Sequence, residues 1–258
     1  MIGFGWGFAA LLAAAFGAGL IDAVAGGGGL VQVPALFSAL PSEAPATLFG
    51  TNKLSSVFGT ANAAWRYARR VEIPWAIALP AAGAAFVSSF AGAATVAWLP
   101  RDIVQPLILL LLVAVAAYTA LHHDFGVAPA VAPSRRLGAV LLVGAVLGFY
   151  DGFFGPGMGS FLIFVFVRWF GLDFLRASAA AKIVNGSTNL AALAYFIPSG
   201  HVLWGLALPM AMFNVAGAHV GTRLAVRRGN GFVRGVFLLA TSLLIAKFGY
   251  DTFLTMVK

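Results

Sequence analysis

Cysteine is absent from this chain, which excludes disulfides, thiol nucleophiles and thiolate metal sites. Charge is scarce too. Only 9% of the 258 residues are Asp, Glu, Lys or Arg, against about a quarter in a soluble domain. Water is therefore not the main solvent for this sequence. Polar and apolar residues do not alternate through stretches such as Leu107–Ala117, and a transmembrane β-barrel needs that alternation. No HExxH, GxSxG or Ser/His/Asp set occurs, and His122, His123 and His201 have no metal-ligating companions. The run GGGGL follows no strand and precedes no acid at the spacing of a nucleotide fingerprint. An enzyme, an intramembrane hydrolase included, has no recognisable machinery, and neither a cofactor nor a metal is expected. MIGFGWGF lacks the basic region of a cleavable signal peptide, so Met1 is expected to begin the mature chain.

Apolar residues fill the space these absences leave. They make up 61% of the chain, in stretches of about 20 residues, enough to cross a bilayer. The fold class expected is an all-α polytopic membrane protein. Five apolar segments fall in each half: Phe4–Ala25, Gly27–Leu40, Thr47–Tyr67, Ile73–Trp98 and Ile103–Leu121, then Arg136–Phe154, Gly157–Phe170, Phe174–Ile197, Val202–Val226 and Phe232–Val257. Residues 1–121 and 135–258 are thus two repeats, joined by a linker over 122–134 that carries Pro129 and Pro133.

The repetition is visible residue by residue. An offset of 129 carries Asp22 to Asp151, Gly26 to Gly155, Lys53 to Lys182, Pro80 to Pro209 and Gly92 to Gly221. Internal duplication of this kind is a mark of many secondary transporters.

The net charge of +8 raises the question of nucleic acid. The basic residues, however, sit in small clusters between apolar segments, as in cytoplasmic loops. Arg66, Arg69 and Arg70 follow the third segment, and Arg135 and Arg136 the fifth. Arg168 and Arg176 flank the loop after the seventh; Arg223, Arg227, Arg228 and Arg234 surround the loop after the ninth. Placing these in the cytoplasm makes the repeats antiparallel in the membrane, an inverted topology with both termini outside. That requires the first two segments of each repeat to enter and leave on one face. Gly27–Leu40 is short for a span, which needs about 17 residues or more. A broken or re-entrant pair, interrupted at the glycines, is the reading that fits.

The interruptions are DAVAGGGG at Asp22–Gly29 and DGFFGPGMG at Asp151–Gly159. Glycine costs about 1 kcal/mol and proline about 3 in a helix interior relative to alanine. Backbone freed at such a break must be buried in protein or line a wet cavity. Gly27, Gly28 and Gly29, with Gly157, Gly159 and Ser160, are candidates to present N–H groups to an anion at the start of the following helix. Scattered glycines such as Gly83 and Gly144 are read as helix packing.

Thirty-one residues past each Asp stands a lone lysine in an apolar segment. An ionisable group inside a span costs about 2.5–3.5 kcal/mol on insertion scales and marks a candidate functional site. Lys53 shares a helix face with Ser56 and Thr60, and Lys182 with Asn185 and Asn189, each at i, i+3 and i+7. Asn52 widens the face in the first copy. The alternative for both lysines is snorkelling to the interface. Asp22 and Asp151 have three open roles: pairing with the lysines, capping the helix after the break, or carrying a proton. Asn214 and His219 in the ninth segment suit a helix interface as well as a site.

FGAGLIDAVAGGGGLVQVPAL, LFGTNKLSSVFGT, GFYDGFFGPGMGSFL and SAAAKIVNGSTNLAAL together resemble the sulfite exporter TauE/SafE family, across essentially the whole chain. The resemblance implies an inner-membrane protein that moves small anions such as sulfite or organosulfonates. The second copy carries Ala181-Lys182 where the first carries Asn52-Lys53, so the half-sites are chemically unequal. The expectation is a secondary transporter of a small, sulfur-containing anion, working by alternating access. An anion channel on the same scaffold and a non-transporting membrane subunit are the rivals. Its partners are the anion and the lipid bilayer, not nucleic acid; homo-oligomerisation is left open.

Overall fold

A computed structural model describes residues 5–100, 103–104 and 137–256; among 230, 234 and 237–256 it describes the helix path but not the side chains. The expected segment Ile103–Leu121 lies outside the described residues except for 103–104, and the linker 122–134 lies wholly outside them. Among the described residues the regular structure is helical, with no strand. The helices are α1 (Trp6–Ala25), α2 (Gly29–Ala39), α3 (Pro45–Ala68), α4 (Trp75–Ala97), α5 (Leu137–Phe153), α6 (Met158–Arg168), α7 (Phe174–Phe196) and α8 (Trp204–Met256). α8 breaks at Gly229 (φ 70°, ψ −166°), between the ninth and tenth segments expected.

Local chemistry explains the ends. Pro45 opens α3, where a fixed φ and a missing N–H are harmless. Asp173 caps α7 by accepting from the Arg176 N–H at 3.0 Å. α1 stops because Gly26 turns left-handed (φ 78°) and returns its N–H to the Asp22 carbonyl at 2.9 Å. α2 and α6 have 11 residues each, hence about 16 Å of length, roughly half a hydrocarbon core.

Lipid is the environment that suits the outer surface. α1 and α4 are long and apolar enough to cross a membrane. Leu79 and Val87 on α4, Leu142 and Val146 on α5, and Met212 on α8 are each more than half exposed. Water would penalise such a continuous apolar exterior; lipid does not. The protein is an all-α membrane protein.

The offset seen in the sequence persists in space. α2 and α6 begin 129 residues apart (Gly29, Met158), as do α3 and α7 (Pro45, Phe174) and α4 and α8 (Trp75, Trp204). α1 packs on α8 as α5 packs on α4, and α3 packs on α8 as α7 packs on α4. Small residues permit the approach: a Cβ on Gly92 would collide with Phe149 of α5, and one on Gly221 with Leu20 of α1. Gly144 packs on Ala81 as expected, whereas Gly83 meets nothing within 4 Å. α3 and α7 cross the centre, and their polar faces are buried.

Candidate functional site

α3 carries Lys53 to the end of α5, where its ammonium lies 2.6 Å from Asp151 Oδ2. α7 carries Lys182 to the end of α1, where its ammonium lies 2.7 Å from Asp22 Oδ2. Each pair joins the two halves crosswise. Neither lysine snorkels: their side chains are 4% and 0% exposed. Neither aspartate caps the helix after its break, since α2 and α6 have no side-chain cap. Pairing is the geometry found, and buried charge explains it, because an unpaired ion here would cost several kcal/mol.

The pairs differ in detail. Lys182 donates to Asp22 Oδ2 and also to the Asp22 backbone carbonyl. That carbonyl already accepts from Gly26, so the lysine closes off the negative end of α1. Lys53 meets Asp151 Oδ2 at 2.6 Å, the reach of a charge-assisted hydrogen bond. Among the described residues the Lys53 ammonium has the carboxylate as its partner, without the added backbone carbonyl that Lys182 holds.

Between the helices is a small cavity whose lining includes Asp22, Asn52, Lys53, Ser56, Thr60 and Asp151. Asn185, Asn189 and Asn214 close it from α7 and α8. The centre of a water molecule can range over about 30 Å³ inside, room for about two waters. Asn52 Oδ1 is buried there without a donor.

Both glycine breaks contribute backbone, though not residue by residue as expected. Gly28 and Gly29 line the cavity from the first break, and Gly155 and Gly159 from the second. Gly27, Gly157, Ser160 and Lys182 do not line it. For Ser160 the reason is plain: its N–H donates to the Gly26 carbonyl (3.1 Å) and its hydroxyl to the Ala25 carbonyl (2.7 Å). Those donors complete the end of α1, so the start of α6 does not offer them to an anion. The two breaks also touch, because a Cβ on Gly26 would collide with the backbone of Gly159. Gly155 is left-handed (φ 92°), and a Cβ there would stand 3.3 Å from Lys53 Nζ.

Four lining residues went unclaimed as site residues in the sequence: Gly26, Gly155, Met158 and Asn214. Gln32 was missed altogether. It is fully buried on α2 and accepts from Asn214 Nδ2 at 3.1 Å, holding α2 against α8. One amide in an otherwise apolar helix was the available signal.

Residues 11–248 match the model of the family described as "Sulfite exporter TauE/SafE". "Probable membrane transporter protein YfcA" of Escherichia coli K12 is 33% identical over 235 residues, covering 91% of this chain and 87% of that protein. "Probable membrane transporter protein ORF9" of a Sinorhizobium species is 35% identical over 232 residues (90% and 88%). A "Probable membrane transporter protein" of Haemophilus influenzae is 32% identical over 247 residues, 94% of each chain. No solved structure matches.

Proposed function

We propose, from the premise that this chain belongs to the sulfite exporter TauE/SafE family and is a membrane transporter, that its cargo is a small oxyanion bound beside Lys53. The observation that carries this is a buried lysine facing a cavity of amides, hydroxyls and glycine backbone. A cation buried away from bulk water attracts an anion more strongly than one in solution. Amides and hydroxyls supply several hydrogen bonds to its oxygens. A sulfur oxyanion fits that chemistry, and the small cavity disfavours bulky solutes unless the glycine breaks move.

In this scheme the anion takes the place of Asp151 as the partner of Lys53. The exchange leaves Lys53 paired, because the anion replaces the carboxylate charge for charge. Asp151, released from Lys53, is then the candidate proton carrier. Asn52, Ser56 and Thr60 bind from the first half, and Asn185 and Asn189 from the second. Lys182 and Asp22 hold the break at α1 in place.

The two halves form inverted repeats that rock about the cavity in alternating access. Supporting this are the matching helix starts and the reciprocal packing of α1 on α8 and α5 on α4. The arginines at the end of α3 and within α8 line one pocket, which supports a cytoplasmic placement of that end with both termini outside. An inner-membrane location follows from the family resemblance.

Purified protein is screened by thermal shift against sulfite, sulfate, thiosulfate, sulfonates and carboxylates, because selective binding stabilises the fold. The best ligand is then followed into proteoliposomes. Saturable uptake stimulated by counter-flow and by a proton gradient is expected. Uptake that survives Lys53→Ala together with Lys182→Ala ends the site assignment, and non-saturating conductance makes the protein a channel.

A further inference from the structure

A second concavity of about 410 Å³ lies between the last turns of α3 and the middle of α8. Arg66, Arg69 and Arg70 enter it from α3 and the turn that follows, and His219, Arg223 and Arg227 from α8. Thirteen residues separate Arg66 from Lys53 on one helix, about 20 Å. The pocket is therefore distinct from the central cavity, although both lie along α3 and α8.

Its electrostatics are unbalanced. Among the described residues, none of its five guanidinium groups forms an ion pair. Arg176, on another turn, pairs with Glu72 and lies 3.7 Å from Asp173. An exposed arginine of this protein can thus find carboxylates, and among the described residues these five do not. Arg69 stacks on Trp65 at 4.4 Å, which orients its charge without neutralising it.

Among the described residues, Arg66 is the one of the five with a buried donor, its Nε, that finds no acceptor. Its Nη2 lies against the His219 ring, 2.9 Å from Nε2 and also within reach of Nδ1. A neutral imidazole offers one lone pair, so among the described residues the five N–H donors of Arg66 have a single protein acceptor. Protonation of His219 would remove even that. A group with several anionic oxygens satisfies these donors and cancels the crowded charge, and guanidinium forks match its geometry.

The geometry points to a second anion site here, separate from the transport cavity, that takes one tetrahedral oxyanion of the phosphate or sulfate class. The oxyanion is either free in solution or the headgroup of an anionic lipid. The inference stands on its own charge and burial, and not on the transport scheme.

Arginine-selective modification reads this site without mutating it. The full-length protein in detergent is treated with phenylglyoxal, with and without inorganic phosphate, and each arginine is followed by mass spectrometry. Protection of Arg66, Arg223 and Arg227 by about tenfold, the weight of a charge-assisted hydrogen bond, with Arg176 unprotected, supports a soluble ligand. If phosphate gives no protection, the reaction is repeated in nanodiscs of phosphatidylglycerol and of phosphatidylcholine. Protection in the former alone supports a headgroup. Arg223→Gln, an exposed substitution, is expected to abolish the protection of Arg66 in whichever condition provides it. Equal modification under all conditions, or equal protection of Arg176, overturns the proposal.

Discussion

Lys53 and Lys182 stand at matching points of α3 and α7, and each meets an aspartate from the opposite half. There the likeness ends. Lys182 is fully buried, holds both a carboxylate oxygen and a backbone carbonyl of Asp22, and is absent from the cavity lining. Lys53 lines the cavity, where Asp151 is its partner at 2.6 Å. The neighbours differ in the same sense. Asn52 precedes Lys53 and reaches the cavity, whereas Ala181 precedes Lys182 and is packed away. Two lysines at one offset thus sit in different settings: Lys182 is packed away on Asp22, and Lys53 borders the cavity.

The comparison breaks most visibly when each pair is neutralised as a unit. Lys53→Met with Asp151→Asn keeps the core free of lone charges and is expected to lower anion flux by about a hundredfold, the loss of a contact of roughly 3 kcal/mol. Lys182→Met with Asp22→Asn is expected to retain flux while lowering the melting temperature. Proteoliposome uptake and thermal unfolding, measured on both, separate the roles.

The single changes come next. Lys182→Met alone leaves Asp22 without its cation, at a cost of about 3–5 kcal/mol for a broken buried pair. Asp22 keeps a partly exposed side chain (17%), so solvent screening places the loss at the low end. Restoring neutrality with Asp22→Asn should recover most of it, as read by thermal unfolding.

The glycines sharpen the contrast further. Gly26→Ala must hold a left-handed φ and also push against the Gly159 backbone, so about 1–3 kcal/mol from backbone strain alone is expected. Gly155→Ala shares the strain but places its methyl 3.3 Å from Lys53 Nζ. It should raise the half-saturating anion concentration as well as lower stability, whereas Gly26→Ala, whose Cβ meets the Gly159 backbone and not Lys53, should act mainly on stability.

The smallest effect belongs to the amides. Asn189→Ala removes a hydrogen bond from the cavity and is expected to weaken binding by about tenfold or less, on the order of 1 kcal/mol. Ser56→Ala should cost about the same or less. Titration of the purified variants checks both.

Much of this architecture is legible before any coordinates. Breaker residues and apolar runs locate most helix ends to within two residues: Phe174–Ile197 is expected and Phe174–Phe196 is found. Lys53, Ser56 and Thr60 do share a face, as do Asn185 and Asn189, because helical spacing alone dictates it. Which lysine faces the cavity is not legible. That depends on where the carbonyl at the end of α1 lies relative to α7, a contact across 160 residues. Ser160 misleads for a similar reason: its donors look free in sequence, but the end of α1 arrives to take them. The meeting of Arg66 and His219, 153 residues apart, is likewise a product of α3 packing on α8.

The most direct test compares uptake of radiolabelled sulfite by the two neutralised pairs, reconstituted side by side at equal density. Unequal half-sites predict that the Lys53→Met, Asp151→Asn protein is silent while the Lys182→Met, Asp22→Asn protein still transports. Equal loss in both, or loss in the second alone, would contradict the assignment of Lys53 as the residue that meets the anion.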